Sequence, residues 1–272
     1  MQETTNEPMT SLRDLFGLAG RVAIVPGGTG DIGSALAWGL ARAGASVAVC
    51  ARDADRAQRL AGELQAAGHD ALGLAMDAHR VDSIRHAVDT VAAHFGALDL
   101  LVNCVGIQRE ERLLDVSEEA FDELLEVNLK GAMFMAQAVA RHQSAAAQGG
   151  RPPGRQLHVL SVRALLGMRD RGYSAYCATK GALVTLIRQH AVELSAFGVT
   201  VNGIAPTVVR GRMGSHWLAN PDTRDALLKR IPLGRVAEPQ DLVGAALYFC
   251  SPAASFVTGQ VLYLDGGITA TQ

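Results

Sequence analysis

The feature that most constrains the fold of this chain is an alternation of short apolar segments with longer segments of helical period. Strands that helices cover on both faces are apolar almost throughout, as in LDLLV at residues 98–102. We therefore predict βαβ units that build a doubly wound α/β sheet of about seven parallel strands, with helices on both faces. The predicted strands cover residues 21–25, 46–50, 70–76, 98–102, 156–161, 199–205 and 260–264.

The length of 272 residues and a hydrophobic content of 49% suffice for one sizeable core, so a single domain is predicted over residues 13–272. The polar, acidic start predicts a flexible tail over residues 1–12 in place of a signal peptide. Gly, Pro and Arg at residues 144–155 predict an exposed loop. A stretch with several glycines at about residues 207–233 predicts a mobile lid over the substrate.

Composition excludes several classes of partner. The formal net charge of −2 leaves no broad basic field for nucleic acid or an anionic membrane, and no apolar run approaches the length of a membrane span. The four cysteines have neither metal-ligand spacing nor the density of a disulfide scaffold, which predicts a cytoplasmic protein. His86 and His94 would lie about 12 Å apart along one helix, and with His79 they predict a solvated face without a metal site.

A glycine-rich segment, PGGTGDIG at residues 26–33, joins the first predicted strand to an amphipathic helix. Glycines let a backbone turn tightly and approach a pyrophosphate, while a helix N-terminus offers unpaired N–H groups and a positive dipole end. Gly28, Gly30 and Gly33 fit G-x-G-x-x-G, a weak signal alone that gains weight from its place between strand and helix. A dinucleotide-binding loop is predicted here.

Tyr176 and Lys180 lie four residues apart in a segment of helical period, so both side chains are expected on one helix face. A phenol with a pKa near 10 is a poor acid/base at neutral pH. An ammonium within about 6 Å favours the phenolate, and we expect it to move the pKa of Tyr176 toward the working range. Because Tyr-x-x-x-Lys occurs by chance in many helices, the spacing becomes specific for an acid/base centre only together with its place in the chain.

Together these features resemble the short-chain dehydrogenase/reductase family, and the likeness extends from about residue 12 to residue 270. It implies an NAD(P)-dependent oxidoreductase that interconverts a secondary alcohol and a ketone. The shared markers are the glycine-rich loop, Asp77 after the third strand, NCVG at 103–106, Asn128 in VNLKG, Ser161, Tyr176 with Lys180, and APT at 205–207.

The resemblance also implies a role for each matching residue. Tyr176 would exchange the proton, Ser161 would hydrogen-bond the substrate oxygen, Lys180 would tune Tyr176 and bind ribose, and Asn128 would hold a relay water. The implied cofactor contacts are Gly27, Thr29, Asp31, Ile32, Gly33, Arg52, Asp77, Asn103, Gly106, Tyr176, Lys180, Pro206 and Val208.

The end of the second strand favours NADP over NAD. NAD-binding relatives carry an acid there for the ribose hydroxyls, whereas this chain has Ala51 followed by Arg52. A guanidinium favours a 2′-phosphate, which it holds by charge-assisted hydrogen bonds. Two features point toward NAD. Gly30 lies where NADP-binding relatives often have a second basic residue. A carboxylate from Asp53 or Asp31 would either repel a 2′-phosphate or replace the missing acid.

Some positions depart from the family pattern. Pro26 replaces a threonine whose hydroxyl and N–H brace the loop. Asp31 replaces a glycine, and its carboxylate either caps the helix N-terminus or lies against the ligand, which would weaken cofactor binding. Thr207 and Gly211 interrupt the P-G-x-x-x-T stretch, so a threonine contact to the nicotinamide amide is missing or moved.

The spacing of the catalytic markers is also unusual. Ser161 precedes Tyr176 by fifteen residues, two more than is usual in the family, which indicates an insertion within residues 168–172. Tyr173 lies seven residues before Lys180, the spacing of the enoyl-reductase branch. Tyr176 is favoured as the acid/base because NCVG, VNLKG and Ser161 belong with the alcohol/ketone branch, and Tyr173 is expected to be a wall of the substrate pocket.

The stretches around residues 103–115 and 234–270 are similar to those of sugar-acid dehydrogenases in the family, such as gluconate 5-dehydrogenases. A sugar acid, polyol or similar small polar substrate is therefore expected. Gln108 and Arg109 follow the fourth strand at its carboxyl end, where doubly wound sheets bind ligands. Arg109 either holds a carboxylate or is a solvated surface residue, and the same alternatives apply to Arg163.

Two other functions stay open. A 3-oxoacyl thioester reductase of the same fold would use Arg109, Arg151 and Arg155 as a dock for an acyl carrier, and the departures from the family pattern suggest a non-catalytic dinucleotide-binding regulator. Apolar-faced helices predicted over residues 117–142 and 173–197, together with the last strand, suit the interfaces of a homotetramer or homodimer.

Overall fold

The computed structural model describes residues 11–169 and 171–271, apart from the side chains of His216 and Trp217. All seven predicted strands are present, with ends within two residues of the predicted ones. The strands are β1 Val22–Pro26, β2 Ser46–Ala51, β3 Ala71–Ala75, β4 Leu100–Asn103, β5 Arg155–Val159, β6 Thr200–Pro206 and β7 Val261–Leu264. The α-helices are α1 Leu12–Phe16, α2 Asp31–Arg42, α3 Ala54–Ala66, α4 Val81–Phe95, α5 Glu118–Leu124, α6 Gly131–Gln148, α7 Ser174–Leu194, α8 Ser215–Ala219, α9 Pro221–Leu228 and α10 Val243–Cys250.

The strands form one parallel sheet in the order β3-β2-β1-β4-β5-β6-β7, which confirms the predicted doubly wound fold. After β3 the chain crosses back to place β4 beside β1. In open α/β sheets, ligands bind outside the carboxyl ends of the strands at such a switch point. The segments that follow β1 and β4 therefore border the expected ligand cleft.

The core lies on both faces of the sheet because successive side chains of a strand point in opposite directions. Ala23 and Val25 of β1 belong to an apolar cluster with residues of α2, α3 and α10. Val22 and Ile24 belong to a second cluster with residues of α4 and α6. Burial on both faces explains why the strands are apolar almost throughout.

The predicted loop at residues 144–155 is shorter than expected. Helix α6 continues to Gln148 and β5 begins at Arg155, so the connection is reduced to residues 149–154. The SAAAQ sequence at residues 144–148 is rich in alanine, which has the highest helix propensity, and the helix ends where Gly149 follows. The loop prediction was therefore wrong for residues 144–148, which are helical.

The start of the domain also differs from expectation. Helix α1 begins at Leu12, and the Ser11 hydroxyl accepts a hydrogen bond from the Asp14 N–H, so the predicted tail ends earlier than residue 12. The rest of the tail lies outside the described residues, as does Asp170 within the predicted insertion. The predicted lid segment contains α8 and α9. None of the helices in the described part of the chain has the length and hydropathy needed to cross a bilayer.

Candidate active site

The glycine-rich loop forms a close-packed cradle between β1 and α2. Gly27 has a φ of +72°, and a Cβ on it would lie 2.8 Å from the carbonyl of Cys104. A Cβ on Gly33 would meet the backbone of Gly27 and lie 2.8 Å from the Cα of Gly28. No side chain in the described structure caps α2 at Gly30, so the first N–H groups of this helix are open to an anionic ligand. The loop therefore fits a dinucleotide.

Asp31, the first residue of α2, is bound to the segment that follows β6. Its Oδ2 accepts a hydrogen bond of 2.7 Å from the Arg212 N–H, and a Cβ on Gly211 would lie 2.6 Å from its Cγ. The carboxylate therefore fills space that a side chain at position 211 would need. Asp31 forms no side-chain cap of α2, but its carboxylate lies in the first turn of that helix, where negative charge is favourable. The observed hydrogen bond is to Arg212, and the small Gly211 leaves room for the carboxylate.

Tyr176 and Lys180 lie on α7 with both side chains buried, and Lys180 Nζ is 5.8 Å from the centre of the Tyr176 ring. Burial raises the pKa of Tyr176 to about 12, although a hydrogen bond with the Ser161 side chain acts in the opposite direction. The spacing prediction holds. The expected lowering of the tyrosine pKa by the ammonium is not found, because desolvation by burial has the largest effect on this pKa.

The Lys180 ammonium is confined beneath the loop after β4. Its Nζ donates a hydrogen bond of 3.2 Å to the Val159 carbonyl, and a Cβ on Gly106 would lie 3.3 Å from it. Burial lowers the pKa of Lys180 to about 8. This lysine can therefore change its protonation state near neutral pH.

Ser161 follows β5 and lies within hydrogen-bonding reach of Tyr176 despite the unusual spacing. The Ser161 hydroxyl also accepts a hydrogen bond from the Arg163 N–H and so caps a short 3₁₀ turn, Val162–Ala164. The lengthened segment that follows is fixed to the loop after β4 by a 2.9 Å hydrogen bond from the Glu111 N–H to the Gly172 carbonyl. The extra residues thus leave the Ser161–Tyr176 pair intact.

Asn128 lies in a π-helical segment, Leu125–Lys130, between α5 and α6. Single π-helical turns often occur at functional sites. The Asn128 side chain accepts from the Ile107 N–H at 2.8 Å and donates to the Ile107 carbonyl at 3.0 Å. It also donates to the Thr179 hydroxyl at 3.2 Å, so Asn128 connects the loop after β4 to α7.

The other predicted cofactor residues lie at the same end of the sheet. Asn103 ends β4, and its Oδ1 accepts from the Val105 N–H at 3.0 Å. Asp77 follows β3, and its Oδ1 accepts from the His79 N–H at 3.1 Å. The remaining positions are Ile32 in α2, Arg52 directly after β2, Pro206 at the end of β6, and Val208 two residues later.

Tyr173 forms a polar wall beside Tyr176, with the two ring centres 6.0 Å apart. Its hydroxyl accepts from Gln108 Nε2 at 2.7 Å and donates to Glu110 at 3.1 Å. Burial raises the pKa of Tyr173, and the Glu110 carboxylate raises it further. Glu110 was missed at the sequence level, and the only signal was its place in the charged run REER at residues 109–112.

The two arginines considered for substrate binding have different surroundings. Arg109 is half-exposed, and its Nε and Nη2 both contact Oε2 of Glu123, at 2.7 and 2.6 Å, which favours the solvated-surface alternative. Arg163 donates from Nη1 to the carbonyls of Leu166 and Gly167. Among the described residues no carboxylate lies within ion-pair distance of Arg163, and Tyr173 and Tyr176 are among its electrostatic neighbours.

Comparisons with known proteins agree with this geometry. The family model described as enoyl-(acyl carrier protein) reductase matches residues 28–269. The chain is 36% identical to gluconate 5-dehydrogenase of Gluconobacter oxydans over 95% of its own length and 98% of that protein. It is 37% identical to D-threitol dehydrogenase of Mycolicibacterium smegmatis, covering 93% and 95% of the two chains. The crystal structure of a Burkholderia cenocepacia gluconate 5-dehydrogenase in complex with NADP and tartrate superimposes with a TM-score of 0.91 at 34% identity, covering 96% and 100%.

Proposed function

This chain belongs to the short-chain dehydrogenase/reductase family, and on that basis we propose that it is an NADP-dependent oxidoreductase that interconverts a secondary alcohol and a ketone on a sugar acid or polyol. The observation that carries the proposal is the meeting of Ser161, Tyr176 and Lys180 at the end of the sheet that also bears the glycine-rich cradle. NAD is the alternative cofactor.

The proposed mechanism assigns a separate task to each side chain. When bound, NADPH would supply the hydride in reduction and NADP⁺ would accept it in oxidation. The Tyr176 hydroxyl would give its proton to the carbonyl oxygen in reduction, and the Tyr176 phenolate would take the proton from the alcohol in oxidation. Ser161 hydrogen-bonds the same oxygen, and Lys180 supplies positive charge beside the phenol and holds the cofactor ribose. Asn128 fixes the loop after β4 through its hydrogen bonds to Ile107. In this proposal it would also bind a relay water.

The cofactor contacts follow the same geometry. The pyrophosphate would lie at the N-terminus of α2, surrounded by Gly27, Thr29, Ile32 and Gly33. The 2′-phosphate would face Arg52. The nicotinamide side of the cleft would be lined by Asn103, Gly106, Pro206 and Val208. Asp77 would lie near the adenine. Asp31 would act indirectly, since its carboxylate is bound to Arg212.

Arg163 is the better candidate for a substrate carboxylate, because Arg109 is already paired with Glu123. Gln108 and Tyr173 would form the polar wall of the same pocket. Residues 207–233, which include α8 and α9, would close over the substrate as a lid. A charge-assisted contact from Arg163 would favour acids over neutral polyols.

Replacing Arg163 by alanine is expected to raise KM for a sugar acid about tenfold or more and to change KM for a neutral polyol by less than about twofold. Only the acid loses a charge-assisted hydrogen bond. Steady-state kinetics on both substrates measure the effect. Arg109→Ala is the matched control and should change neither KM, because its guanidinium is held by Glu123. Equal effects of Arg163→Ala on both substrates would exclude a carboxylate contact.

A screen of sugar acids, polyols and ketones, followed by nicotinamide absorbance with NADP and NAD, tests the proposed function itself. Turnover of a sugar acid or polyol with a higher kcat/KM for NADP is expected. Turnover of only 3-oxoacyl thioesters would establish the rival reductase. Tight nucleotide binding without turnover of any substrate would point to the non-catalytic regulator.

The rival thioester reductase lacks the basic dock considered from the sequence. Arg155 pairs in register with Leu100 at the start of β4, and Arg151 forms a 3.0 Å ion pair with Asp99 just before that strand. Both arginines therefore lie at the amino end of the sheet, opposite to the Tyr176 site. Arg109 is neutralised by Glu123. The three residues do not form one surface at the entrance to the site.

We propose a homotetramer as the assembly, with a homodimer as the alternative. Phe121 on α5, Met133 on α6 and Val192 on α7 are exposed apolar side chains, and Leu262 on β7 is another. A second copy would cover these helix faces and the last strand. The four cysteines are free thiols, which supports the proposed cytoplasmic location.

A further inference from the structure

A buried histidine contacts the side chain at the end of β4. His158 on β5 pairs in register with Asn103, the last residue of β4, and its side chain is fully buried. Nδ2 of Asn103 lies 3.3 Å from Nδ1 of the imidazole. Because Asn103 Oδ1 accepts from the Val105 N–H, the amide nitrogen is the atom that faces the imidazole. An amide nitrogen only donates, so Nδ1 of His158 accepts and the ring proton lies on Nε2.

The imidazole is a neutral acceptor in this position. Burial lowers the pKa of His158 to about 3, and electrostatic interactions with His190 and Lys180 act in the same direction. The ring therefore carries no charge at neutral or alkaline pH and does not repel the Lys180 ammonium. Nε2 of His158 has no hydrogen-bond partner within the described structure. The hydrogen bond with Asn103 is thus the one that orients the ring there.

Two connections lead from this pair to Lys180. The Asn103 side chain braces the loop after β4, and in that loop a Cβ added to Gly106 would lie 3.3 Å from Lys180 Nζ. The second connection runs along β5, because Lys180 Nζ donates to the carbonyl of Val159, the residue after His158. A displacement of the pair therefore reaches the ammonium from both the loop and the strand.

Core packing does not explain a histidine at this position. A buried N–H without a partner lowers stability, and His158 Nε2 is such a group within the described residues. An apolar side chain of similar size would fill the same space without that cost. It would not provide the acceptor for Asn103 Nδ2. The acceptor is therefore what the imidazole contributes.

We propose that His158 is a positioning residue: through the Asn103 amide it fixes the loop that confines the Lys180 ammonium. This inference rests on the proposed function, which assigns Lys180 and Asn103 to the cofactor site. His158 itself is buried in the core and contacts neither substrate nor cofactor in this proposal. Loss of the acceptor should therefore weaken cofactor binding and lower kcat while substrate KM changes little.

The test compares three variants of the full-length protein. The Oδ1 of asparagine is bonded to Cγ, as Nδ1 of histidine is, so His158→Asn keeps the acceptor close to its place. His158→Gln moves the amide one bond farther from the backbone, and His158→Leu has no acceptor.

We expect His158→Leu to weaken NADPH binding about tenfold and to lower kcat about tenfold, with substrate KM changed less than about twofold. His158→Gln should resemble His158→Leu, and His158→Asn should stay within about threefold of wild type in both quantities. Fluorescence titration measures NADPH binding. Steady-state rates on the sugar acid or polyol that is turned over fastest measure kcat and KM.

Gln156→Leu is the matched control, because Gln156 is a buried amide on the same face of β5, two residues before His158. Its Nε2 donates to the Ala136 carbonyl and to Gln143 on α6, away from the loop after β4. This variant should keep wild-type NADPH binding and kcat. Thermal melting shows how far each variant is destabilised.

Three outcomes would overturn the inference while leaving the proposed function in place. They are wild-type NADPH binding and kcat in His158→Leu, equal losses in His158→Leu and Gln156→Leu, and a loss in His158→Asn as large as that in His158→Gln. Should His158→Leu not fold, the comparison of the asparagine and glutamine variants decides. A wild type that binds no NADPH would refute the proposed function first.

Discussion

Replacement of Tyr176 by phenylalanine is expected to reduce kcat by at least about a hundredfold while nucleotide binding survives. The ring remains buried beside Lys180, and only the exchangeable proton and the hydrogen bond with Ser161 are lost. Steady-state rates and NADPH fluorescence titrations measure the two effects.

Tyr173→Phe is the control, since this tyrosine is a buried neighbour on the same helix start with a ring 6.0 Å away. Its hydroxyl is held between Gln108 and Glu110, which suits a wall and not a proton donor. We expect a change in KM and a small change in kcat. If Tyr173→Phe is inactive and Tyr176→Phe is not, the chain uses the enoyl-reductase arrangement.

The fold was predictable because its signal is repeated along the chain. Each strand is a short apolar run, and the burial of both faces of β1 by separate helix clusters shows why the runs are continuous. The loop prediction is wrong at residues 144–148 because the Gly- and Pro-containing stretch begins with an alanine-rich segment that continues α6. Local composition did not mark where α6 ends.

The candidate site was predictable where its residues share an element, and not where they meet across the chain. Helical spacing places Tyr176 and Lys180 on one face of a helix, and their order among the other family markers singles the pair out. The contact between Asp31 and Arg212 joins residues 181 positions apart, so no local pattern indicates it. The Thr29 carbonyl bound by Arg56 and Arg212 is a backbone group, which any sequence would carry. Such contacts depend on the packed fold.

Substitution of Lys180 by methionine is expected to weaken NADP binding and to shift the pH dependence of alcohol oxidation upward. In wild type, burial lowers the pKa of Lys180 to about 8, so the ammonium is present below that pH and favours the Tyr176 phenolate. Burial raises the pKa of Tyr176 to about 12 even with Lys180 in place, and loss of the ammonium removes a positive charge that favours the phenolate. The rate of the variant is therefore expected to rise at higher pH than that of wild type.

The methionine side chain is unbranched, only one atom shorter than lysine, and carries no charge. Since the folded-state pKa of Lys180 lies below its ordinary value, the protonated lysine destabilises the folded protein below about pH 8, and Lys180→Met should melt no lower than wild type there. Loss of rate would then not reflect unfolding. Lys229→Met is the control, because Lys229 is exposed directly after α9, and it should leave both the pH profile and NADP binding unchanged. A Lys180→Met profile identical to that of wild type, with only NADP binding weakened, would restrict Lys180 to holding the ribose.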